Sequence, residues 1–354
     1  MLTRVAASNR FDEARLEPSA RTDDGPVTVA LALGANIAVG VLKLAAGLIS
    51  GSGALLSEAA HSAGDTSTEV LLLVALRRSS QPADRRHPFG YGKARYFWSL
   101  LAAVAIFVVG SAFSLLEGVR TIAGRSEPMA WLWINYPVLA VAAVLEGVSF
   151  AQAARRLRAA SGRGGRSVRD YLRVPDDPTV NSVAVEDSSA LIGILIAGAG
   201  VALHQITGSA VWDGVASVLI GLLLLGAAVL LARACEGLLI GQQADPRLVR
   251  EIERQLESHA EIEDVVDLLT MMTGVSRVLV CARVDFVDDV SAGELETACL
   301  RADAELRERF PMLDEIFIQP APRSDRGLRD RVRARYGVLL ADDATLESEP
   351  GPPT

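Results

Sequence analysis

Six long apolar stretches dominate the pattern of hydrophobic and polar positions along the chain. They cover residues 27–50, 53–76, 97–120, 130–153, 181–204 and 211–233. An α-helix of about 20 apolar residues is long enough to cross the ~30 Å hydrocarbon core of a bilayer. Glycine and alanine are frequent in several stretches, and small residues let membrane helices pack closely. The pattern therefore predicts a polytopic α-helical membrane protein with six transmembrane helices.

Basic residues are concentrated in alternate connections between these stretches. The connections at 77–95 and 154–180 are rich in arginine, whereas the three others hold only Arg125 between them. Connections rich in arginine and lysine remain on the cytoplasmic side of a membrane. The alternation therefore predicts that both termini are cytoplasmic.

A different pattern begins after residue 235, where shorter periods replace the long apolar stretches. The predicted elements are a helix at 246–259, strands at 262–269 and 278–286, a helix at 292–309 and a strand near 316–318. Apolar residues alternate with other residues in the second strand, which is typical of a strand with one buried face. The order α-β-β-α-β predicts a small α+β domain in which one helical layer covers one sheet.

These patterns divide the chain into four parts. Residues 27–235 form the predicted six-helix transmembrane domain, and residues 236–320 form the predicted cytoplasmic domain. Residues 1–26 and 321–354 are rich in charge, and we expect them to be a disordered cytosolic arm and a disordered tail.

The composition agrees with a membrane protein. Hydrophobic residues make up 50% of the 354 residues, a high share for a soluble chain of this length. The net charge of −8 argues against a nucleic-acid partner, which would need a basic surface. Lys43 and Lys93 are the only lysines in a chain that otherwise uses arginine, a bias that we attribute to a GC-rich bacterial genome. We therefore expect a multi-pass protein of a bacterial cytoplasmic membrane.

Ionisable residues interrupt the second apolar stretch. His61 and Asp65 are four residues apart and so share one face of a helix, with Glu58 close to the same face. Ionisable groups within a membrane segment are costly and mark functional sites. An imidazole nitrogen and a carboxylate oxygen one turn apart can bind the same first-row divalent cation.

The fifth stretch carries the adjacent carboxylates Glu186 and Asp187. Neighbouring residues are about 100° apart around a helix, so we do not expect both to reach one ion. Asp187 facing His61 and Asp65 would supply three ligands from two helices. The simpler alternative is a buried, hydrogen-bonded His–Asp pair that holds two helices together.

Other polar residues of the predicted membrane domain have two interpretations each. Lys43 either reaches toward the outer interface or pairs with a buried carboxylate such as Glu58. Glu146 is either a proton-relay carboxylate or a residue at the level of the cytoplasmic headgroups. Asp213 either caps the sixth helix, where an anion is favoured at the dipole, or belongs to an outer site. Lys93 is a candidate gating residue in the cytosolic connection.

Two further sites are weaker candidates. Asp84 and His87 can form a cytosolic metal site, although a surface loop is the simpler interpretation. Asn36 in the first stretch is expected to make a hydrogen bond between helices.

Several motifs resemble the cation diffusion facilitator family of metal transporters. They are Leu56-Ser-Glu-Ala-Ala-His-Ser-Ala-Gly-Asp-Thr66, His87-Pro-Phe-Gly-Tyr-Gly-Lys-Ala-Arg95 and Trp212-Asp-Gly-Val-Ala-Ser-Val-Leu-Ile-Gly221. The run from Asp177 to Asp187 looks like the branch of the zinc transporter 9 type, which has a Glu-Asp pair where other members have a His-x-x-x-Asp motif. The resemblance extends from about Val27 to Pro320.

The resemblance implies a homodimer with six transmembrane helices and a cytoplasmic domain like a ferredoxin or metallochaperone. It also implies export of zinc or a related divalent cation in exchange for protons, without an enzymatic activity or a prosthetic group. His61, Asp65 and Asp187 match the family's ligand positions, but Val183 stands where other members have a fourth ligand, a histidine. Water, Glu186 or Glu58 would have to complete the site. With one histidine, His259, the C-terminal domain is expected to bind little or no metal.

The leading hypothesis is a proton-coupled exporter that works by alternating access. Zn²⁺ favours four ligands that include nitrogen, whereas Mn²⁺ or Fe²⁺ accepts more oxygen and water. Manganese or iron is therefore an alternative cargo. A membrane metal sensor or dimeric scaffold without net flux is a second alternative, which the missing histidine favours. An intramembrane hydrolase is disfavoured because no serine or cysteine nucleophile has a characteristic spacing.

Overall fold

Long helices form the first two thirds of the computed structural model, which describes residues 26–124, 130–163 and 178–336. They are α1 (Pro26–Ser50), α2 (Gly53–Ser79), α3 (Ala94–Ala105), a π-helical segment (Ile106–Ala112), α4 (Phe113–Ile122), α5 (Asn135–Arg163), α6 (Pro178–Thr207) and α7 (Val211–Ile240). A short 3₁₀ turn, Leu132–Ile134, precedes α5. The predicted N-terminal arm up to residue 25, most of the second arginine-rich connection and the end of the tail lie outside the described residues.

Five helices in the described ranges are long and apolar enough to cross a membrane. They contain the segments Leu33–Ser50, Ala94–Ile122, Leu132–Gln152, Val185–Thr207 and Val211–Ile240. The second predicted spanning helix, α2, does not meet this measure, because Glu58, Asp65 and Glu69 interrupt its apolar residues. Its polar residues nevertheless point inward, since Glu58 and His61 are buried against the other helices.

The predicted helix boundaries needed three corrections. The third stretch is one continuous helix from Ala94 to Ile122 whose centre is π-helical. The last helix continues to Ile240 instead of ending at 233, because its final turns still bury Cys235 and Leu238. The fifth helix starts at Pro178, a residue suited to the first helical turn, where its missing N–H costs nothing.

Small residues allow close approach of the helices. A methyl group on Gly118 of α4 would lie 2.7 Å from the carbonyl oxygen of Gly214 on α7. The hydroxyl of Ser111, in the π segment, donates to the carbonyl of Gly221 on α7 at 2.9 Å. These contacts fix the helix from Ala94 to Ile122 along α7.

The C-terminal region has the predicted order of helix, strand, strand, helix and strand. Its elements are α8 (Pro246–Glu257), β1 (Ile262–Gly274), β2 (Arg277–Phe286), α9 (Ala292–Arg309), β3 (Leu313–Pro320) and a further helix, α10 (Arg326–Tyr336). The sheet order is β1-β2-β3, with β1 and β2 antiparallel and β2 and β3 parallel. The apolar residues that alternate along β2 are buried in one core with residues of α8 and α9.

The start of the predicted disordered tail is instead a helix, α10. Leu328 and Val332, four residues apart, are buried against Val266 of β1. Arg335 reaches the buried carboxylate of Asp267, with its Nη1 3.1 Å from Oδ2. The two apolar residues on one face and this ion pair explain why so charged a sequence is ordered. Residues 337–354 lie outside the described part of the chain.

Candidate metal-transport site

One face of α2 holds the two ligands that the sequence predicts there. Nε2 of His61 lies 3.5 Å from Oδ2 of Asp65, so the i and i+4 spacing brings the two groups together as expected. His61 is only 3% exposed. Asp65 is 19% exposed, so the pair extends from a buried imidazole, where a polar side chain requires a partner, to a half-buried carboxylate.

Lys43 of α1 forms a buried ion pair with Glu58 of α2, the helix that carries His61 and Asp65. Its Nζ lies 3.0 Å from Oε2 of Glu58 and 3.1 Å from the hydroxyl of Ser62. Lys43 is 1% exposed and Glu58 is fully buried. Of the two interpretations of Lys43, the structure supports pairing with Glu58. One oxygen of Glu58, Oε2, thus already accepts a hydrogen bond from the Lys43 ammonium group.

The two carboxylates of α6, Glu186 and Asp187, have different surroundings. Oδ2 of Asp187 accepts a hydrogen bond from the hydroxyl of Ser149 on α5 at 3.2 Å. Oε1 of Glu186 is buried and has no hydrogen-bond partner among the described residues. The charges of Glu186 and Asp187 both interact with that of Asp65.

The predicted ligands do not converge fully. In the described ranges, no three His, Cys, Asp or Glu side chains are grouped closely enough to hold a metal ion. The structure brings His61 and Asp65 together, while Asp187 is bonded to Ser149 and Glu58 to Lys43. The complete ligand set remains a prediction.

Glu69 is a residue of this region that the sequence analysis missed. Its Oε1 accepts a hydrogen bond from the amide of Asn36 on α1 at 2.5 Å, so Asn36 does bond between helices. Glu69 follows Asp65 by four residues and its charge interacts with those of Asp65, Glu146 and Asp187. The continuation of the four-residue spacing from His61 was the signal that could have revealed it.

Glu146 of α5 belongs electrostatically to the same interior group. Its charge interacts with those of Lys43, Asp65 and Asp187. Its side chain is half-buried. Both interpretations of Glu146, a proton-relay carboxylate and a residue at the level of the cytoplasmic headgroups, remain predictions.

Asp213 lies in the first turn of α7, as predicted, and its carboxylate also caps a second helix, α2. Oδ1 accepts a hydrogen bond from the hydroxyl of Ser52 at 2.6 Å, and Oδ2 accepts from the N–H groups of Gly53 at 2.7 Å and Ala54 at 3.2 Å. These donors lie at the N-terminus of α2, where main-chain N–H groups lack partners within the helix. The carboxylate of α7 thus anchors the start of the helix that carries His61 and Asp65.

The loop between α2 and α3 is organised by Asp84. Its carboxylate accepts hydrogen bonds from the N–H groups of Arg86 and His87 and from the hydroxyl of Tyr91, at 2.8, 2.6 and 2.8 Å. The main-chain N–H of His87 and then the Tyr91 hydroxyl lower the pKa of Asp84. These bonds support the surface-loop interpretation rather than a metal site at Asp84 and His87.

The end of this loop touches the C-terminal domain. Nζ of Lys93 lies 3.5 Å from the sulfur of Met271 on β1. A methyl group on Gly92 would lie 2.9 Å from Cα of Gly274 and closer still to the carbonyl oxygen of Thr273. Lys93 is thus placed where the membrane helices meet the turn between β1 and β2.

Comparison with known proteins identifies the family. Residues 29–240 match the cation efflux transmembrane domain. The mitochondrial proton-coupled zinc antiporter SLC30A9 of Mus musculus is 31% identical over 244 residues, which are 69% of this chain and 43% of the relative. Metal tolerance protein C4 of Arabidopsis thaliana is 30% identical over 258 residues, 73% of this chain and 56% of the relative. The chain thus spans about half the length of these two relatives.

A third relative is similar over more of its length. The manganese efflux system protein MneP of Bacillus subtilis is 23% identical over 299 residues, which are 82% of this chain and 94% of the relative. All three relatives are named for metal transport or tolerance, and none is named as an enzyme. With the matched membrane domain and the Glu186-Asp187 pair in place, the chain belongs to the cation diffusion facilitator family of transporters, in the branch of the zinc transporter 9 type.

Proposed function

We propose that this protein exports a divalent cation, Zn²⁺, in exchange for protons by alternating access. The observation that carries the proposal is the pairing of the buried His61 with Asp65 on α2, whose charge interacts with that of Asp187 on α6. Such a group of nitrogen and oxygen donors in an apolar bundle suits a first-row dication. The similarity to a proton-coupled zinc antiporter supports the same cargo.

In this proposal His61, Asp65 and Asp187 are the ligands, and Glu186 or water supplies the fourth position. Asp187 would exchange its hydrogen bond with Ser149 for the ion. Metal ligands must be deprotonated, so binding of the cation releases protons. Protons that return on the outer side would compete with the cation and release it.

The proposed architecture follows the family. α1, α2, the helix from Ala94 to Ile122, α5, α6 and α7 are the six spans, with both termini in the cytoplasm of a bacterium. The domain over 236–320 is proposed to be ferredoxin-like and to support a homodimer.

Manganese is the alternative cargo that a specific observation favours. Val183 leaves an oxygen-rich ligand set with one nitrogen, which suits Mn²⁺ or Fe²⁺ better than a set with two histidines. The similarity to a manganese efflux protein points the same way. A sensor or scaffold without flux is the second alternative.

Uptake into proteoliposomes with an imposed pH gradient tests the proposal. Zn²⁺, Mn²⁺, Co²⁺ and Fe²⁺ are compared for the unmodified protein, Asp187→Ala and Glu117→Gln. Glu117, on α4, is the matched control because its partner is Arg120, 4.0 Å away, rather than a residue of the site. We expect gradient-dependent flux that Asp187→Ala abolishes and Glu117→Gln retains.

The order of rates among the four ions identifies the cargo. Flux that survives in Asp187→Ala at the normal rate would show that the ligand assignment is wrong. A correctly folded protein that binds a metal but moves none of the four would favour the sensor or scaffold.

A further inference from the structure

Glu58 lies between an ammonium group and an imidazole. Its Oε2 is bonded to Nζ of Lys43 at 3.0 Å, and its Oε1 lies 4.0 Å from Nδ1 of His61. Oε1 has no hydrogen bond among the described residues. The opposite ring nitrogen of His61, Nε2, is the one that faces Asp65. The four side chains therefore lie in a row, in the order Lys43, Glu58, His61 and Asp65.

The position of Glu58 is restricted on a third side by α6. A methyl group placed on Gly193 would overlap with Oε1 of Glu58 and would lie 3.8 Å from Nδ1 of His61. Gly193 is itself buried. The α6 backbone thus lies against the carboxylate and leaves it little room to turn toward Nε2 of His61.

Moving Glu58 to a metal ion would also be costly. It would leave the ammonium group of Lys43, which is 1% exposed, without its carboxylate and close to a dication. A buried charge that loses its partner is strongly unfavourable. Glu58 is therefore poorly placed to act as a ligand.

A different role follows from the ring nitrogen that Glu58 faces. A histidine that binds a metal through one nitrogen commonly donates the other N–H to a carboxylate, which fixes the ring and its tautomer. We infer that Glu58 is a positioning residue that holds His61 with Nε2 directed to the cation, and that Lys43 holds Glu58 in that place. This inference rests on the proposed transport function.

The inference predicts distinct effects for the two halves of the pair. Glu58→Gln removes the carboxylate that faces His61 and should raise the KM for Zn²⁺ about 10-fold, the lower end of the range for residues that orient metal ligands. Lys43→Arg keeps the charge and should preserve the KM. The double variant Lys43→Met/Glu58→Gln leaves no unpaired buried charge but still lacks the carboxylate, so its KM should remain raised.

Two readouts on the full chain test the inference. One is the KM and maximal rate of Zn²⁺ uptake into proteoliposomes. The other is the visible d–d spectrum of Co²⁺ bound to the purified protein, which reports the ligands. We expect His61→Ala to change the spectrum and Glu58→Gln to leave its band positions unchanged while the KM rises.

A Co²⁺ spectrum altered by Glu58→Gln as strongly as by His61→Ala would show that Glu58 is a ligand. An unchanged KM in every Glu58 and Lys43 variant would show that the pair only holds α1 to α2. If Glu58→Gln does not fold, the double variant still decides, because it leaves no buried charge unpaired, and a normal KM in it would show that the carboxylate does not position His61. Absence of flux in the unmodified protein would overturn the transport function instead, and the Co²⁺ spectra would still test the role of Glu58.

Discussion

The carboxylate of Asp213 on α7 accepts a hydrogen bond from the N–H of Gly53, the first residue of α2, at 2.7 Å. A helix N-terminus is usually capped by the residue just before it, and Ser52 does contribute such a bond, to the N–H of Leu55. Asp213 adds a negative charge from a different helix at the positive end of the α2 dipole. The Asp213 carboxylate thus connects α7 to the start of α2, the helix that carries the predicted ligands His61 and Asp65.

We expect Asp213→Ala to destabilise the protein more than Asp213→Asn. Alanine leaves the N–H groups of Gly53 and Ala54 buried without an acceptor, at a cost of about 2–4 kcal/mol, whereas asparagine retains one acceptor oxygen. Thermal unfolding in detergent, followed by size-exclusion chromatography, measures the difference. Asp303→Ala on α9, whose carboxylate is paired with Arg307 at the surface, is the control. An Asp213→Ala protein that unfolds with this control would contradict the capping role.

Val183→His should shift the metal preference toward zinc. Residue 183 precedes Asp187 by four positions on α6, so a histidine there would share a helix face with that carboxylate. A second nitrogen ligand suits Zn²⁺ better than Mn²⁺. We expect the ratio of Zn²⁺ to Mn²⁺ uptake to rise by about 10-fold, which corresponds to ~1.4 kcal/mol. An unchanged ratio would mean that residue 183 does not face the ion.

Gly92→Ala should separate the α2–α3 loop from the C-terminal domain. The added methyl group would overlap with the main chain at Thr273 and Gly274, and backbone atoms cannot move aside as a side chain does. Hydrogen exchange in the turn between β1 and β2 should therefore become faster. Gly226→Ala on α7 is the matched control, because no atom lies within 4 Å of its new methyl group. Equal exchange in both variants would show that the contact at Gly92 is not tight.

The loop around Asp84 should remain ordered in mild acid. Hydrogen bonds from the main chain and Tyr91 lower the pKa of Asp84, so its contribution to stability is present above the unfolded-state pKa of ~3.9 and is lost as the pH falls through the lower folded-state value. Exchange protection of residues 84–91, corrected for intrinsic rates, should thus persist at pH 5. Asp84→Asn should weaken protection at neutral pH. Loss of protection between pH 6 and 5 in the unmodified protein would contradict this assignment.

The sequence predicted the helices of the membrane domain better than the side-chain contacts between them. Apolar stretches reveal a helix through their length, and the spacing of His61 and Asp65 reveals a shared face. Pairing of Lys43 with Glu58 was one of two open interpretations, because a sequence does not show how α1 and α2 are rotated relative to each other. The capping of α2 by Asp213 joins residues 160 positions apart, which no local pattern can indicate.

The C-terminal helix α10 is an element that the sequence analysis failed to predict. Its composition suggested disorder because arginine dominates it. Only Leu328 and Val332 mark its buried face, and the carboxylate that accepts Arg335 belongs to a distant strand. Tertiary contacts thus order a segment that has almost no hydrophobic pattern of its own.

The π segment from Ile106 to Ala112 separates the motions available to the two ends of one long helix. A π-helical hydrogen bond joins residues five apart rather than four, and removing one residue from the segment would rotate α3 by about 100° relative to α4. The α4 end is fixed to α7 where Gly118 and Gly214 meet. The α3 end follows Lys93 and the loop that touches the C-terminal domain. A twist applied at the C-terminal domain can therefore be absorbed within the helix, before it reaches the half that packs against α7.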